Sequence, residues 1–145
     1  MSLNNGTYKI VNVKGGTFLD VSPSDQQSIV GEQSPGQWKL ENHPEGISLQ
    51  STGNNGVFVG FSGDPANGGP ITASTSAGKW LLVPDERDNS VWRIFYPGTD
   101  FNFDLSNHGD SSPGTKIQLW EKTPGKGQTW RFEQGTSILD FLGFF

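Results

Sequence analysis

Residues 91–105 read VWRIFYPGTDFNFDL, with apolar and polar residues in alternation. Such alternation is typical of β-strands that bury one face, because successive side chains point to opposite sides of a strand. The same arrangement occurs near the start of the chain, where Tyr8 stands twelve residues before Asp20, as Trp92 stands twelve residues before Asp104. Self-similarity of this kind indicates a chain built from repeated structural units.

The pattern divides residues 1–134 into three repeats, at about 6–42, 45–85 and 90–134. Each repeat contains four short strand-like runs and closes on a tryptophan, in order Trp38, Trp80 and Trp130. Three such units can close a small barrel, which buries what one unit cannot and removes exposed strand edges. We therefore predict an all-β fold, a single β-trefoil domain with pseudo-threefold symmetry, whose closing tryptophans belong to the core.

The composition restricts the classes of function. The 145 residues include no cysteine and only two histidines, which leaves no disulfide framework, no thiol nucleophile and no cysteine-bound metal. A net charge of −5 argues against nucleic acid and anionic membranes as partners. We expect no metal ion and no cofactor. The lack of cysteine and of an N-terminal signal pattern favours a cytoplasmic location.

The third repeat carries motifs that resemble a known family. Residues 103–106 read FDLS, residues 113–120 read PGTKIQLW, and residues 128–130 read QTW. This series resembles the ricin-B repeat, in which an aspartate follows an apolar strand and a Gly-Thr turn leads into a Gln-x-Trp strand. The opening GTYKIVNV at 6–13 is similar to small fungal fruiting-body β-trefoils, a group with galactose- and N-acetylgalactosamine-specific lectins and also protease inhibitors.

The resemblance implies a carbohydrate-binding site in the third repeat. Asp104 would accept protons from two sugar hydroxyls, because a carboxylate accepts strongly and in a fixed geometry. Trp120 would offer its ring to the apolar face of the sugar, and strand alternation places Gln118 on the same side. In the family pattern Gln128 supports the aspartate or donates to the ligand. The complete predicted set is Asp104, Ser106, Asn107, His108, Gln118, Trp120, Gly127 and Gln128.

The chain departs from the family pattern at Gly127, where many members have an asparagine that bonds a sugar hydroxyl. Lys126, Asn107 or His108 could replace that contact, although His108 also reads as an exposed turn residue. In the first repeat Asp20 either forms a second, degenerate site or caps a turn. In the second repeat Gly60 takes the aspartate position, so that only a differently built groove of Phe61, Lys79 and Trp80 could bind there.

These features predict a lectin that binds glycans of glycoproteins or glycolipids and is not an enzyme. No catalytic motif is present, and Asp110, the next acidic residue after Asp104 in sequence, lies in a turn. The alternative is a β-trefoil protease inhibitor with Lys126 or Arg87 at the tip of an exposed loop. Because one weak site gains strength through multivalency, we expect a homodimer, with the apolar tail 135–145 as a candidate contact; the tail alternatively covers the barrel.

Overall fold

The computed structural model describes residues 2–135. Within this range thirteen strands belong to one sheet: β1 (Gly6–Asn12), β2 (Phe18–Val21), β3 (Ile29–Glu32), β4 (Gln37–His43), β5 (Gly46–Ser51), β6 (Phe58–Gly60), β7 (Gly69–Pro70), β8 (Thr72–Ser74), β9 (Leu81–Pro84), β10 (Trp92–Phe95), β11 (Phe101–Leu105), β12 (Thr115–Glu121) and β13 (Trp130–Gln134). Short 3₁₀ turns occur at Asn54–Gly56 and Lys126–Gln128. No helix in these residues is long and apolar enough to cross a membrane.

Seven strands close into a barrel. The ring runs β13, β10, β11, β12, β3, β2 and β1, and antiparallel pairing of β1 with β13 completes it. The first and last strands are therefore neighbours, with Tyr8 opposite Gln134 and Asn12 opposite Trp130. The remaining strands extend the sheet as hairpins and outer pairs. Closure leaves no free edge around the ring, which is the advantage of a barrel over an open sheet.

The predicted fold is confirmed: an all-β, β-trefoil arrangement of four strands in the first repeat (β1–β4) and four in the third (β10–β13). The second repeat differs, because its third strand is split into β7 and β8 on either side of Ile71. Strand β7 pairs with β12 of the third repeat, whereas β8 pairs with β6. Pro70 has no N–H to donate, which explains why regular pairing is interrupted there. Positions 136–145 of the predicted tail lie outside the described residues.

The closing tryptophans lie in the core, as predicted. Trp38, Trp80 and Trp130 are at most 1% exposed. Each indole Nε1–H donates to a backbone carbonyl of the second strand of its own repeat: Trp38 to Leu19 at 2.8 Å, Trp80 to Val59 at 3.1 Å, and Trp130 to Phe103 at 3.2 Å. Three repeats thus make the same buried contact, which satisfies the one polar atom of each ring.

The substitution Trp38→Ala should lower the free energy of unfolding by about 3–5 kcal/mol, because it removes a fully buried ring and leaves a cavity. The matched control is Trp120→Ala, since the Trp120 side chain is 38% exposed and its removal should cost about 0.5 kcal/mol or less. Urea denaturation measures both. Equal losses for the two variants would contradict this assignment of core and surface tryptophans.

Candidate functional site

An open cleft of about 540 Å³ lies on the third repeat. Seven of the eight residues that the sequence predicts for the site line it, and Thr123, which the sequence did not indicate, completes the wall. The lining consists of Asp104, Ser106, Asn107, His108, Gln118, Trp120, Thr123 and Gln128. The eighth predicted residue, Gly127, lies behind the wall instead of in it, next to the backbone of Gly109.

The centre of the cleft is a carboxylate held by an amide. Asp104 on β11 stands opposite Gln118 on β12, and Gln118 Nε2 donates to Asp104 Oδ2 at 3.0 Å. Along β12 the residues Ile117 and Leu119 are buried, whereas Gln118 is partly exposed and Trp120 is exposed. The period of two therefore turns the amide and the indole ring outward together, on the side of the cleft.

Burial raises the pKa of Asp104 above its ordinary value, because a half-buried carboxylate loses solvation. Hydrogen bonding to Gln118 and Gln128, and the charge of His108, lower the same pKa and offset part of this effect. In its charged form the carboxylate is consequently incompletely solvated. Such a group is a good acceptor for ligand hydroxyl protons.

One wall of the cleft is a left-handed turn. Asn107, His108 and Gly109 follow one another with φ of 54°, 57° and 80°, and Asp110 N donates to Ser106 O at 3.3 Å across the turn. Three successive left-handed residues are rare, because a side chain is disfavoured in this region. The turn directs Asn107 and His108 to the rim of the cleft.

Gly127 supports this turn. A Cβ atom at residue 127 would lie 3.3 Å from the amide nitrogen and 3.4 Å from the Cα of Gly109, so that the turn would have to move for any side chain. Asn12 Nδ2 fixes the same segment by donating to Gly127 O at 2.8 Å. Glycine thus stands at residue 127 in place of the family's asparagine. The backbone there lies close to the turn that carries Asn107 and His108.

Of the three residues considered as replacements for that asparagine, two reach the cleft. Asn107 and His108 line it. Lys126 instead belongs to a neighbouring cleft with Asp85, Arg87 and Asp88. The hypothesis that Lys126 supplies the missing contact therefore has no support in the geometry.

A buried polar network lies beneath the cleft, and sequence reasoning did not find it. Gln128 is only 1% exposed; its Nε2 donates to Glu121 O at 3.0 Å, and its Oε1 accepts from Thr123 N at 2.8 Å. The same Oε1 accepts from Arg93 Nη1 at 3.1 Å. Gln128 is therefore held by the protein beside Asp104 and resembles a support more than a direct ligand contact.

Arg93 is the centre of this network. Its Nε donates to Asp85 Oδ1 at 3.0 Å, its Nη1 to Asn102 Oδ1 at 3.1 Å, and its Nη2 to Thr123 O at 2.9 Å. Burial alone would raise the pKa of Asp85, but hydrogen bonding and charge from Arg93, together with the Arg87 N–H, hold that pKa below its ordinary value. The only signal in the sequence is a charged residue inside the apolar run 91–95.

The first repeat lacks most of these features. Asp20 pairs across β2 and β3 with Val30, not with a glutamine, and the position of Trp120 is occupied by Glu32 opposite Phe18. Asp20 lies within β2, and its Oδ1 accepts from the adjacent Val21 N of the same strand at 2.8 Å. The pKa of Asp20 is raised by burial, lowered in part by that bond and raised further by the charge of Glu32.

The loop before each closing tryptophan also differs. Gly36 and Gly78 stand two residues before their tryptophans, where the third repeat has Gln128. A Cβ on Gly36 would lie only 2.4 Å from the Asp20 carboxyl, and one on Gly78 would lie 2.9 Å from Val59 O. The glycines let these two loops pack against the second strands of their repeats, where the third repeat has an open cleft.

In the second repeat Gly60 pairs with Thr72, as Asp104 pairs with Gln118 in the third repeat. Glycine stands in the place of the aspartate, so this position has no carboxylate. Phe61, Lys79 and Trp80 do line a common cleft of about 300 Å³, as the sequence suggested, with Tyr96 as a further wall residue. Among residues 2–135 no group of three or more histidine, aspartate or glutamate side chains is placed to hold a metal ion.

Comparison with known proteins agrees with the fold. The family model described as ricin-type β-trefoil lectin domain-like matches residues 1–74. A ricin B-like lectin of Macrolepiota procera, solved in complex with lactose, is 36% identical over 93% of this chain and all of its own, with a TM-score of 0.88. The Rhizoctonia solani agglutinin is 25% identical over 93% of this chain and 99% of its own, with a TM-score of 0.79.

A proteinase inhibitor from Coprinopsis cinerea is 15% identical over 92% of this chain and 100% of its own, with a TM-score of 0.71, and this likeness concerns the fold alone. No curated protein matches the chain. The fold and the match over half the sequence define a β-trefoil lectin domain. The chain belongs to the ricin B-like lectin family.

The substitution His108→Gly should raise the free energy of unfolding by up to about 1 kcal/mol, because glycine adopts a left-handed conformation without the penalty of a Cβ atom. Gln26→Gly is the matched control, since Gln26 also has a φ of 57° but lies in the first repeat. Thermal unfolding of both variants measures the effect. A loss of stability in His108→Gly alone would show that the imidazole makes a stabilising contact.

Proposed function

We propose that the cleft of the third repeat binds glycans that end in galactose or N-acetylgalactosamine. The observation that carries the proposal is the Asp104 carboxylate, fixed by Gln118 and flanked by the exposed ring of Trp120. The Macrolepiota procera lectin supports the choice of sugar, because lactose, with which it was solved, contains galactose.

The chemistry of a neutral sugar agrees with this arrangement. Gln118 and Gln128 both bond to the Asp104 carboxylate; a carboxylate has about four lone-pair sites, so about two remain to accept adjacent hydroxyl protons. Galactose has an apolar face formed by its C–H groups, and an exposed indole ring is a flat surface for it. Asn107 and His108 at the rim are then in position to contact a hydroxyl or an acetamido group.

We also propose that the site binds without catalysis. Glycoside hydrolysis generally needs two carboxyl groups about 5–10 Å apart on either side of the sugar bond. Among residues 2–135, Asp104 is the one carboxylate that lines the cleft. Asp110 accepts from Ser112 N at 2.9 Å within its own turn, and its pKa is lowered by that bond.

Protease inhibition has weaker support. Arg87, one of the two candidate inhibitory residues, donates from Nη2 to the carbonyl of Pro124. Lys126 begins a 3₁₀ turn and its carbonyl accepts from Thr129 N and Oγ1 at 3.1 and 2.8 Å. These hydrogen bonds attach the Arg87 side chain to Pro124 and hold Lys126 in a compact local turn, whereas a protease-binding loop presents an extended backbone. Trypsin inhibition that disappears in Lys126→Ala, together with no glycan binding, would favour the inhibitor.

Asp104→Asn should lower the affinity for lactose or N-acetylgalactosamine at least tenfold, because the amide replaces a charged acceptor by a weaker one, a loss of about 1.5–3 kcal/mol. Its stability should not fall, since burial penalises the charged form of Asp104. Asp20→Asn is the control and should bind as wild type does. Glycan-array binding and calorimetry measure both. Equal binding by Asp104→Asn and wild type would refute a third-repeat site.

Binding should also weaken on acidification. The acceptor is the charged form of Asp104, whose pKa is raised by burial. Affinity should therefore be constant near neutral pH and fall as the pH drops through this raised pKa, at a higher pH than an ordinary aspartate would require. Calorimetric titrations with lactose from pH 7 to pH 3.5 test this. Unchanged affinity while the protein remains folded would contradict the role of the carboxylate.

We further propose that the protein acts as a homodimer, because a single shallow site gains strength from multivalency. We also propose that it is cytoplasmic, because it has no cysteine for disulfides. Light scattering on the full chain and on a variant that lacks residues 135–145 tests both the dimer and the tail contact. Two equal monomer masses would contradict the dimer. A dimer that survives the deletion would remove the tail as its contact.

A further inference from the structure

A buried ion pair lies directly beneath the cleft. Arg93 on β10 and Asp85, which follows β9, are 2% and 4% exposed and are joined by Nε and Oδ1 at 3.0 Å. We propose that this pair positions the binding site, because it fixes the conformation of the loop 123–128 at the wall of the cleft. The inference rests on the proposed function, because it concerns the geometry of the same cleft.

The remaining guanidinium donors reach the segments that carry the cleft residues. Nη2 donates to Thr123 O, and Nη1 donates to Gln128 Oε1, so that both ends of the loop 123–128 are attached to one side chain. Nη1 also donates to Asn102, whose own Nδ2 donates to Trp120 O at 3.1 Å. The planar guanidinium fork of Arg93 thus bonds to Thr123 and Gln128 directly. It is linked to the backbone of Trp120 through the side chain of Asn102.

The third repeat needs such an anchor because its last loop is long. Four residues separate β3 from β4 and six separate β8 from β9, whereas eight separate β12 from β13. The shorter loops pack on Asp20 and Val59 through Gly36 and Gly78. A longer loop has more conformations to lose on ordering. The contacts from Arg93 satisfy its buried polar groups and select one conformation.

The other repeats do not have this arrangement. Arg93 follows Trp92, which pairs with the closing Trp130; the residues at the same register in the first and second repeats are Lys9, after Tyr8, and Ser48, after Ile47. Lys9 is partly exposed, and Ser48 is a buried hydroxyl that is hydrogen-bonded to His43 Nε2 at 2.9 Å. In residues 2–135 a buried guanidinium therefore occurs at this position only in the repeat that has the open cleft.

A role in positioning explains why a charged pair is buried here. Removing two charges from water is costly, and a buried ion pair often contributes no more stability than apolar residues of similar size. The double substitution Asp85→Leu with Arg93→Met removes the fork and should lower stability less than Arg93→Met alone, although Asn102 Oδ1 and Thr123 O lose a donor in both variants. It separates positioning from folding, which Arg93→Met alone would not do, since that change leaves Asp85 buried without its partner.

The experiment compares wild type with Asp85→Leu/Arg93→Met by thermal unfolding, by calorimetry with lactose and by amide hydrogen exchange of residues 123–128. We expect a cooperative melting transition at a temperature below that of wild type, at least tenfold weaker lactose binding, and at least tenfold faster exchange in the loop. Lys39→Gln/Glu41→Gln, which removes an exposed ion pair on β4, is the control and should change neither binding nor loop exchange.

A folded double variant with wild-type binding and exchange would overturn the inference. If the double variant does not fold, Arg93→Lys replaces it: the ammonium can keep the charge pair with Asp85 but cannot reproduce the fork. Faster loop exchange and weaker binding would then support the inference, and wild-type values would overturn it. If wild type itself does not bind lactose, the proposed sugar is wrong, and loop exchange still decides whether the pair positions the loop.

Discussion

The hydrogen bond from each closing tryptophan to the second strand of its own repeat is the contact on which the rest of the structure depends. In the third repeat Trp130 donates to the carbonyl of Phe103, the residue immediately before Asp104. Because side chains alternate along a strand, the core residue Phe103 points inward and Asp104 points outward. The buried ring therefore fixes the strand that presents the carboxylate, and Trp38 and Trp80 fix the equivalent strands of the other two repeats.

A symmetric core does not produce three equal sites. The register that joins Asp104 to Gln118 joins Asp20 to Val30 and Gly60 to Thr72. Only the third repeat has a carboxylate, an amide partner and an exposed indole ring on adjacent strands. The glycines that precede the first two closing tryptophans let their loops pack on the second strands, whereas the third loop has Gln128 at this position and is hydrogen-bonded to Arg93 on β10.

Much of this could be predicted from the sequence, because the fold and the centre of the site depend on local patterns. Repeat spacing and alternation were enough for the trefoil, the core tryptophans and the common side of Gln118 and Trp120. The split third strand of the second repeat was not predicted, since it results from pairing of β7 with a strand of another repeat.

The residues that were missed have their partners far away in sequence. Thr123 and Arg93 carry no motif, and their importance comes from contacts across 30 or more residues. Gly127 was read as a lost ligand contact, but the structure places it against Gly109, where any side chain would crowd the turn. Lys126 points to a different cleft for a similar reason: the direction of a turn side chain depends on tertiary packing.

We propose that the third repeat carries the glycan site of this chain and that the first and second repeats do not. The most direct test of this proposal is a titration of isotope-labelled protein with lactose, followed by NMR. The account predicts chemical-shift changes at the side-chain amide of Gln118, the indole N–H of Trp120 and the backbone around Asp104. Changes centred on Asp20, or on Phe61 and Lys79, with none at Trp120, would contradict it.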